Sequence, residues 1–235
     1  MKKNIKNGKG KTGFHRKRNT KKWQFVVKDA YAIAAQKAGF RARSIYKLEE
    51  IQKRFELIKP EMNIIDIWAA PGSFLQLISQ IVKNKIIIWV DLKEIKSFWN
   101  KNIKTIVCDI FDFEKLREKI KALSPESSLP IGEKGATKKY ELKQFDLITS
   151  DIAPNTTGRK DVDQYASVEL NIEICKFSDN FLKKWWNMLL KVFVWEDFRD
   201  LQKEIKKRFK SYKTYKPLAC RDSSFEEYII CFDKI

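Results

Sequence analysis

Asp66-Ile-Trp-Ala-Ala-Pro-Gly-Ser-Phe74 is the stretch that decides how this chain folds. The apolar run Met62–Ile67 leads into it and is too short for a helix, so it reads as a buried strand. Pro71–Gly72 breaks the run, and Phe74–Val82 resumes with apolar residues at helical spacing. A strand, a turn of small residues and a helix open a βαβ unit. Such a turn lets a ligand approach the backbone closely at the helix N-terminus.

The same alternation runs outward in both directions. Upstream, Ala30, Ile33, Ala34 and Ala38 recur at helical spacing, with Gly39 as the stop, and Tyr46, Leu48, Ile51 and Phe55 mark a second helix. Downstream, Lys85–Asp91, Lys104–Cys108, Phe145–Ser150, Met188–Val194 and Glu227–Phe232 read as strands. Helical patterns lie at Phe113–Leu123, Val168–Trp185 and Glu196–Phe209. Strands alternating with helices imply an α/β fold, a mostly parallel sheet with helices on both faces. Ligands of such sheets sit at the carboxyl ends of the strands. The first three strands there end at or beside Asp66, Asp91 and Asp109. An acid after the second strand can accept from a ribose diol, and one after the third can receive a base amino group. Strand-end aspartates are often only helix caps. Three in register favour a nucleoside cofactor.

The 235 residues suit one domain with a tail. Residues 1–22 hold ten Lys and Arg and no acid, so residues 1–24 are expected to be a basic, disordered tail before a domain at 25–235. The polar segment 124–143, with two prolines and two glycines, reads as a surface insert. The whole chain carries 48 Lys and Arg against 30 Asp and Glu, net +18, which points to a polyanion such as nucleic acid. There is no apolar run long enough to span a membrane and no secretory signal at the N-terminus. Cys108, Cys175, Cys220 and Cys231 form no CxxC pair, which argues for reduced thiols in the cytoplasm and against zinc. The only histidine is His15, in the tail, so Ser-His-Asp and Cys-His catalysis and multi-His metal sites are excluded. Chemistry here must run on Lys, Asp, Glu and backbone, with no metal expected.

Five segments in order carry a resemblance: Gly39-Phe-Arg-Ala-Arg-Ser-Ile-Tyr-Lys-Leu-Glu-Glu-Ile51, Asp66…Gly72, Ser150-Asp-Ile-Ala-Pro-Asn155, Leu190-Lys-Val-Phe193 and Ser224-Phe-Glu-Glu-Tyr228. From about Lys28 to Cys231 the chain resembles the FtsJ-type ribose 2′-O-methyltransferases, which use S-adenosylmethionine. The resemblance implies a Rossmann-like, seven-stranded methyltransferase sheet. It implies that Gly72 and Phe74 line the methionine side of the cofactor, that Asp91 holds the ribose and Asp109 the adenine edge, with Asp151 also at the cofactor. It implies a catalytic tetrad of Lys47, Asp151, Lys191 and Glu226. Glu227 would face the other side of a strand, so only one of the two glutamates can enter the site.

These residue types suit the reaction. In-line placement of a ribose hydroxyl and a methyl group supplies much of the rate. A lysine can take the hydroxyl proton only when neutral, a form that burial and a neighbouring cation favour and an adjacent carboxylate opposes. Lys191 is therefore the expected base, Asp151 and Lys47 positioning groups, and Glu226 the orienter of a lysine or of the ribose. Arg41, Arg43 and the tail are the expected phosphate contacts. The compact domain resembles the bacterial members that methylate a uridine in the A-loop of large-subunit ribosomal RNA, acting as a monomer. A tRNA ribose methyltransferase, or a non-catalytic RNA-binding or ribosome-assembly protein, are the alternatives.

One departure from the family runs in a single direction. The family carries glycine where this chain has Trp68, Trp185 and Trp186, and commonly or often glycine at Trp89 and Trp195. Glycine is scarce, at 8 of 235 residues against an average near 7%. A bulky indole in a turn that needs positive φ, or that a cofactor must approach, would be strained. The one-way pattern leads to the expectation that several of these residues are glycines in the native protein, written as tryptophan where UGA is read differently. If Trp68 is truly tryptophan, the cofactor loop is obstructed and the non-catalytic alternative gains.

Overall fold

Ile64–Ile67 are four consecutive fully buried residues, and in the computed structural model they form β1, inside a seven-stranded sheet. The structure describes residues 29–68, 71–94, 100–123, 145–196, 198–221 and 223–235. The expected tail at 1–24 and insert at 124–143 lie outside them.

The elements follow in chain order: α1 (Ala30–Lys37), α2 (Ile45–Phe55), β1, α3 (Ser73–Ile81), β2 (Ile87–Asp91), β3 (Ile103–Val107), α4 (Phe113–Leu123), β4 (Phe145–Ser150), α5 (Lys160–Phe181), β5 (Leu182–Phe193), α6 (Arg199–Lys206), β6 (Phe209–Tyr215) and β7 (Glu226–Lys234). The sheet order is β3-β2-β1-β4-β5-β7-β6. Neighbours from β3 to β5 pair in parallel, and β7 runs antiparallel to both β5 and β6. The order reverses between β1 and β4, which opens a crevice at their carboxyl ends.

Alternation along the strands builds two cores. Ile65, Ile67, Ile148, Leu190, Val192 and Ile229 face α4, α5 and α6, while Ile64, Leu147, Leu189, Tyr228 and Ile230 face α2 and α3. Helices therefore cover both faces, as an α/β sheet requires. On the first face Phe177 and Phe181 of α5 stack with centroids 4.2 Å apart, and Phe113 of α4 lies 6.3 Å from Phe177.

Three elements differ from the sequence reading. Phe209–Tyr215 is a strand, whereas the helical pattern from Glu196 was expected to run to Phe209. Its exposed residues are mostly lysine and serine, so it carries little apolar signal, and as the edge strand it pairs only with β7. Helix α5 begins at Lys160 rather than Val168. Asp163 fixes that start by accepting from Thr157 N at 2.7 Å, Thr157 Oγ1 at 2.8 Å and Gly158 N at 3.1 Å. These bonds hold its carboxyl below the usual range. The helical pattern expected to run to Trp185 stops at Phe181, and residues 182–187 lie instead inside a long β5: Phe145 pairs with Leu182 but Leu147 with Asn187, so the intervening residues bulge out of register.

All four cysteines are free and buried, and burial pushes the Cys175 thiol up to about 12. Among the described residues no helix is long and apolar enough to cross a membrane.

Candidate active site

Lys191 sits on β5 directly opposite Tyr228 of β7, and side chains opposed in this way share a face. Glu226 lies two residues before Tyr228 and so faces the same way, while Glu227 is paired with Val192 on the other face. Helix α5 fixes this part of β5 from behind. Asn171 donates to the Lys191 carbonyl at 2.8 Å, and Ser167 Oγ accepts from Phe193 N at 3.0 Å.

Two buried ion pairs result. Lys191 Nζ lies 3.0 Å from Asp151 Oδ1 and also donates to the Asp151 carbonyl. Lys47, carried on α2, donates to Glu226 Oε1. The four side chains are 9–15% exposed, so both pairs border solvent without being open to it. Tyr228 lies between them: its hydroxyl donates to Asp151 Oδ1 at 2.7 Å. Burial first, then the Asp151 and Glu226 carboxylates, push its ionisation well above the ordinary value, so it remains a donor. The sequence alone lends Tyr228 no role beyond the end of a matching segment; its antiparallel register with Lys191 is the signal that assigns it a place. Burial, aided by the charge of Glu226, also pushes the neighbouring Cys220 thiol up to about 12.

Helix α2 reaches the site through a bond between Ser44 and Ser73, whose Oγ atoms are 2.6 Å apart, joining the starts of α2 and α3. Gly72 caps α3 in the left-handed region at φ 92°, where glycine is at ease. Arg41 clamps the same turn, taking Gln76 Oε1 with its backbone N–H at 2.7 Å and Pro71 O with its guanidinium at 3.1 Å. Arg43, expected on phosphate, is engaged inside the protein, with Asp29, the Ala219 carbonyl and the Tyr31 ring.

Beside Lys191 and Asp151 a cavity of about 950 Å³ runs along the ends of β1, β2 and β4 to α5. Asp91, Leu92 and Phe111 line one side, Ile152, Pro154 and Tyr165 another. Asp91 is buried at the end of β2 and accepts from Lys93 N at 2.9 Å. An acid there and apolar residues around it fit a nucleoside: a carboxylate for a diol, flat apolar walls for a base. S-adenosylmethionine therefore matches the residues present, with one exception. Trp68 stands on the same wall.

Two expected cofactor contacts lie elsewhere. Phe74 is buried in the α2–α3 core with its ring 6.3 Å from that of Tyr228, because α3 starts at Ser73 and turns position 74 inward. Asp109 is exposed and accepts from Phe111 N at 3.0 Å; Phe111, not Asp109, lines the cavity. Asp66 lies beneath the crevice, fully buried, and accepts from Thr149 at 2.6 Å. Burial raises its pKa well above 3.8; the Thr149 bond opposes this, and the charges of Asp151 and Asp91 add to it. Among the described residues no group of three His, Cys, Asp or Glu side chains gathers as a metal site.

Residues 40–234 match the family described as FtsJ-like methyltransferase. The chain is 36% identical over 204 residues to the ribosomal RNA large subunit methyltransferase E of Pelagibacter ubique, covering 87% of this chain and 91% of that one. It is 35% identical over 218 residues to the protein of the same name from Desulfatibacillum aliphaticivorans, covering 92% and 96%. A solved structure described as a ribosomal RNA methyltransferase of Plasmodium falciparum superposes with a TM-score of 0.67 at 25% identity, over 83% of this chain and 98% of that one. A fibrillarin–Nop5p complex gives 0.51 at 16% identity, a likeness of fold.

Proposed function

The chain belongs to the FtsJ-like methyltransferase family, and from that premise we propose that it methylates a ribose 2′-hydroxyl of large-subunit ribosomal RNA, at a uridine of the A-loop, with S-adenosylmethionine as donor. The observation that carries this reading is the pair of buried Lys–carboxylate contacts on either side of Tyr228, at the end of a cavity fit for a nucleoside. The names of the relatives support large-subunit RNA as substrate, and the excess of 48 basic over 30 acidic residues supports a polyanionic partner. A cytoplasmic, monomeric enzyme is the simplest form of this reading.

When bound, the donor supplies a methyl group on a sulfonium; the ribose oxygen bonds to its carbon while the sulfur keeps the electron pair. The protein's part is placement and the proton. Asp151, held by Lys191 and Tyr228, fixes the Lys191 amine at the cavity. Lys191 Nζ, after giving its own proton to solvent, receives the hydroxyl proton, and the Asp151 carboxylate stabilises the ammonium that forms. Lys47 and Glu226 stand on the other side of Tyr228 and orient the incoming ribose. Asp91 would hold the donor's ribose, and Leu92, Phe111 and Ile152, which line the same cavity, would flank its base.

The test compares RNA from cells with and without the gene. Nucleoside analysis is expected to lose a 2′-O-methyluridine from the A-loop of large-subunit RNA. A loss confined to tRNA would move the substrate, and unchanged methylation in both RNAs would overturn the enzyme reading in favour of RNA binding alone, which Trp68 on the cavity wall favours.

A further inference from the structure

Four described residues other than glycine hold a left-handed backbone: Glu56, Trp68, Trp185 and Asp233, with φ of 49°, 51°, 69° and 56°. Glu56 is the C-cap that closes α2, a position where the left-handed turn is common. Aspartate tolerates the region through its short polar side chain. Tryptophan has neither excuse: its bulk makes positive φ a genuine outlier, at a place where glycine is the default. The chain has seven tryptophans in 235 residues, yet they supply two of these four positions.

Neither indole makes a hydrogen bond that would hold its backbone in this conformation. Trp68 follows β1 at the point where the chain turns off the sheet, and its Nε1 is buried with no partner. Its ring stands on the wall of the cavity that also holds Asp91, Asp151 and Lys191. Trp185 sits in the out-of-register bulge of β5 and is 60% exposed, its ring 4.0 Å from the Lys210 ammonium at the surface.

A third tryptophan shows a different misfit. Trp89 is fully buried in β2 and is the cross-strand neighbour of Asp66. Its Nε1 and Asp66 Oδ2 are both buried and both without a partner. A donor and an acceptor thus lie on adjacent strands and meet nothing, which native interiors rarely leave so. Glycine, meanwhile, numbers 8 in 235, about half the usual share of ~7%, and none follows Gly158. At 68 and 185 the chain has tryptophan where the backbone favours glycine, and at 89 it buries an indole N–H that meets no acceptor.

We infer that positions 68, 89 and 185 are glycine in the protein its own cell makes, each specified by a UGA codon read there as glycine. Left-handed φ at 68 and 185 is then unstrained, the orphaned indole nitrogens of 68 and 89 do not exist, and a wide space opens beside Asp66. Glycine at 68 also clears the cavity wall for the methyl donor. This last consequence rests on the methyltransferase reading; the identity of the residues does not.

Peptide masses decide the matter. Protein purified from its own cells is cut with trypsin, and the peptides spanning 55–83 and 185–191 are weighed. The first is expected to be lighter than the written sequence by one tryptophan-to-glycine difference, the second by at least one. Tryptophan mass at 68 or 185, or a UGG codon at either, overturns the inference. The donor consequence is read separately, on recombinant chains. Affinity for S-adenosylhomocysteine is measured for the chain as written and for a Trp68→Gly, Trp185→Gly variant. A gain of tenfold or more is expected with glycine. Equal affinity would overturn the claim about the cavity wall while the masses still decide the residues.

Discussion

Lys191 is tied to Asp151 through both an ion pair and the backbone carbonyl, so its amine cannot wander. If it accepts the ribose proton, Lys191→Ala lowers kcat by about 10²–10⁴-fold, the usual worth of a positioned base. Lys191→Arg keeps the charge but cannot be deprotonated, and is expected to be equally impaired. Steady-state kinetics with donor affinity measured alongside is the check. Activity restored by arginine would mean that Lys191 acts through its charge alone. Asp66 makes a second prediction. Folding raises its pKa, so the folded protein keeps a proton that the unfolded chain has released. The stability from this group is complete below the unfolded value, about 3.8, and is lost as pH rises toward the folded value. Asp66→Asn retains an acceptor for Thr149 and removes the charge, so it is expected to be more stable than the parent near neutral pH. It should also flatten the fall in stability above pH 4. Denaturant unfolding at several pH values tests this; identical slopes in parent and variant would sink it. The four tetrad positions were legible only through motif resemblance, since a charged residue in a chain one-third charged carries no address of its own. Tyr228 was legible in principle, but only to a reading that already had the antiparallel register of β5 and β7.

Elements were legible in proportion to their burial. The bounds of β4 and α4 match the sequence pattern residue for residue, because β4 is buried throughout and α4 shows one clean apolar stripe. The edge strand β6 was not legible, and neither were the first two turns of α5, whose polar residues face a cavity and a turn rather than a core. The buried half of α5 matters most for stability. Phe177 stacks between Phe113 and Phe181 against the sheet. Phe177→Ala is expected to cost about 3–5 kcal/mol, from lost burial and the cavity left behind. Urea unfolding should show a lower midpoint with an unchanged slope. A cost under about 1 kcal/mol would mean that the neighbours collapse into the space.

At the scale of the molecule, charge is the dominant feature. Ten of the 48 basic residues lie in the first 22, ahead of the described structure. If those residues meet RNA phosphates, removing residues 1–24 weakens RNA binding and makes it less sensitive to salt, while donor affinity stays the same. Binding isotherms over a range of salt concentrations measure both. An unchanged salt dependence would place the phosphate contacts on the folded domain instead. The fold class was readable from the alternation of strands and helices alone, and the number of strands came from the family resemblance. The placement of β7 between β5 and β6 follows from neither burial nor periodicity.

That placement ties the site to the outer part of the sheet. β7 lies inside the sheet between β5 and β6 and, among the described residues, is the one strand paired with β6. It also brings Glu226 and Tyr228, so Lys47 has no carboxylate and Asp151 no phenol unless β7 is docked. Loosening that one strand therefore costs the sheet its edge and the site two of its side chains in a single event.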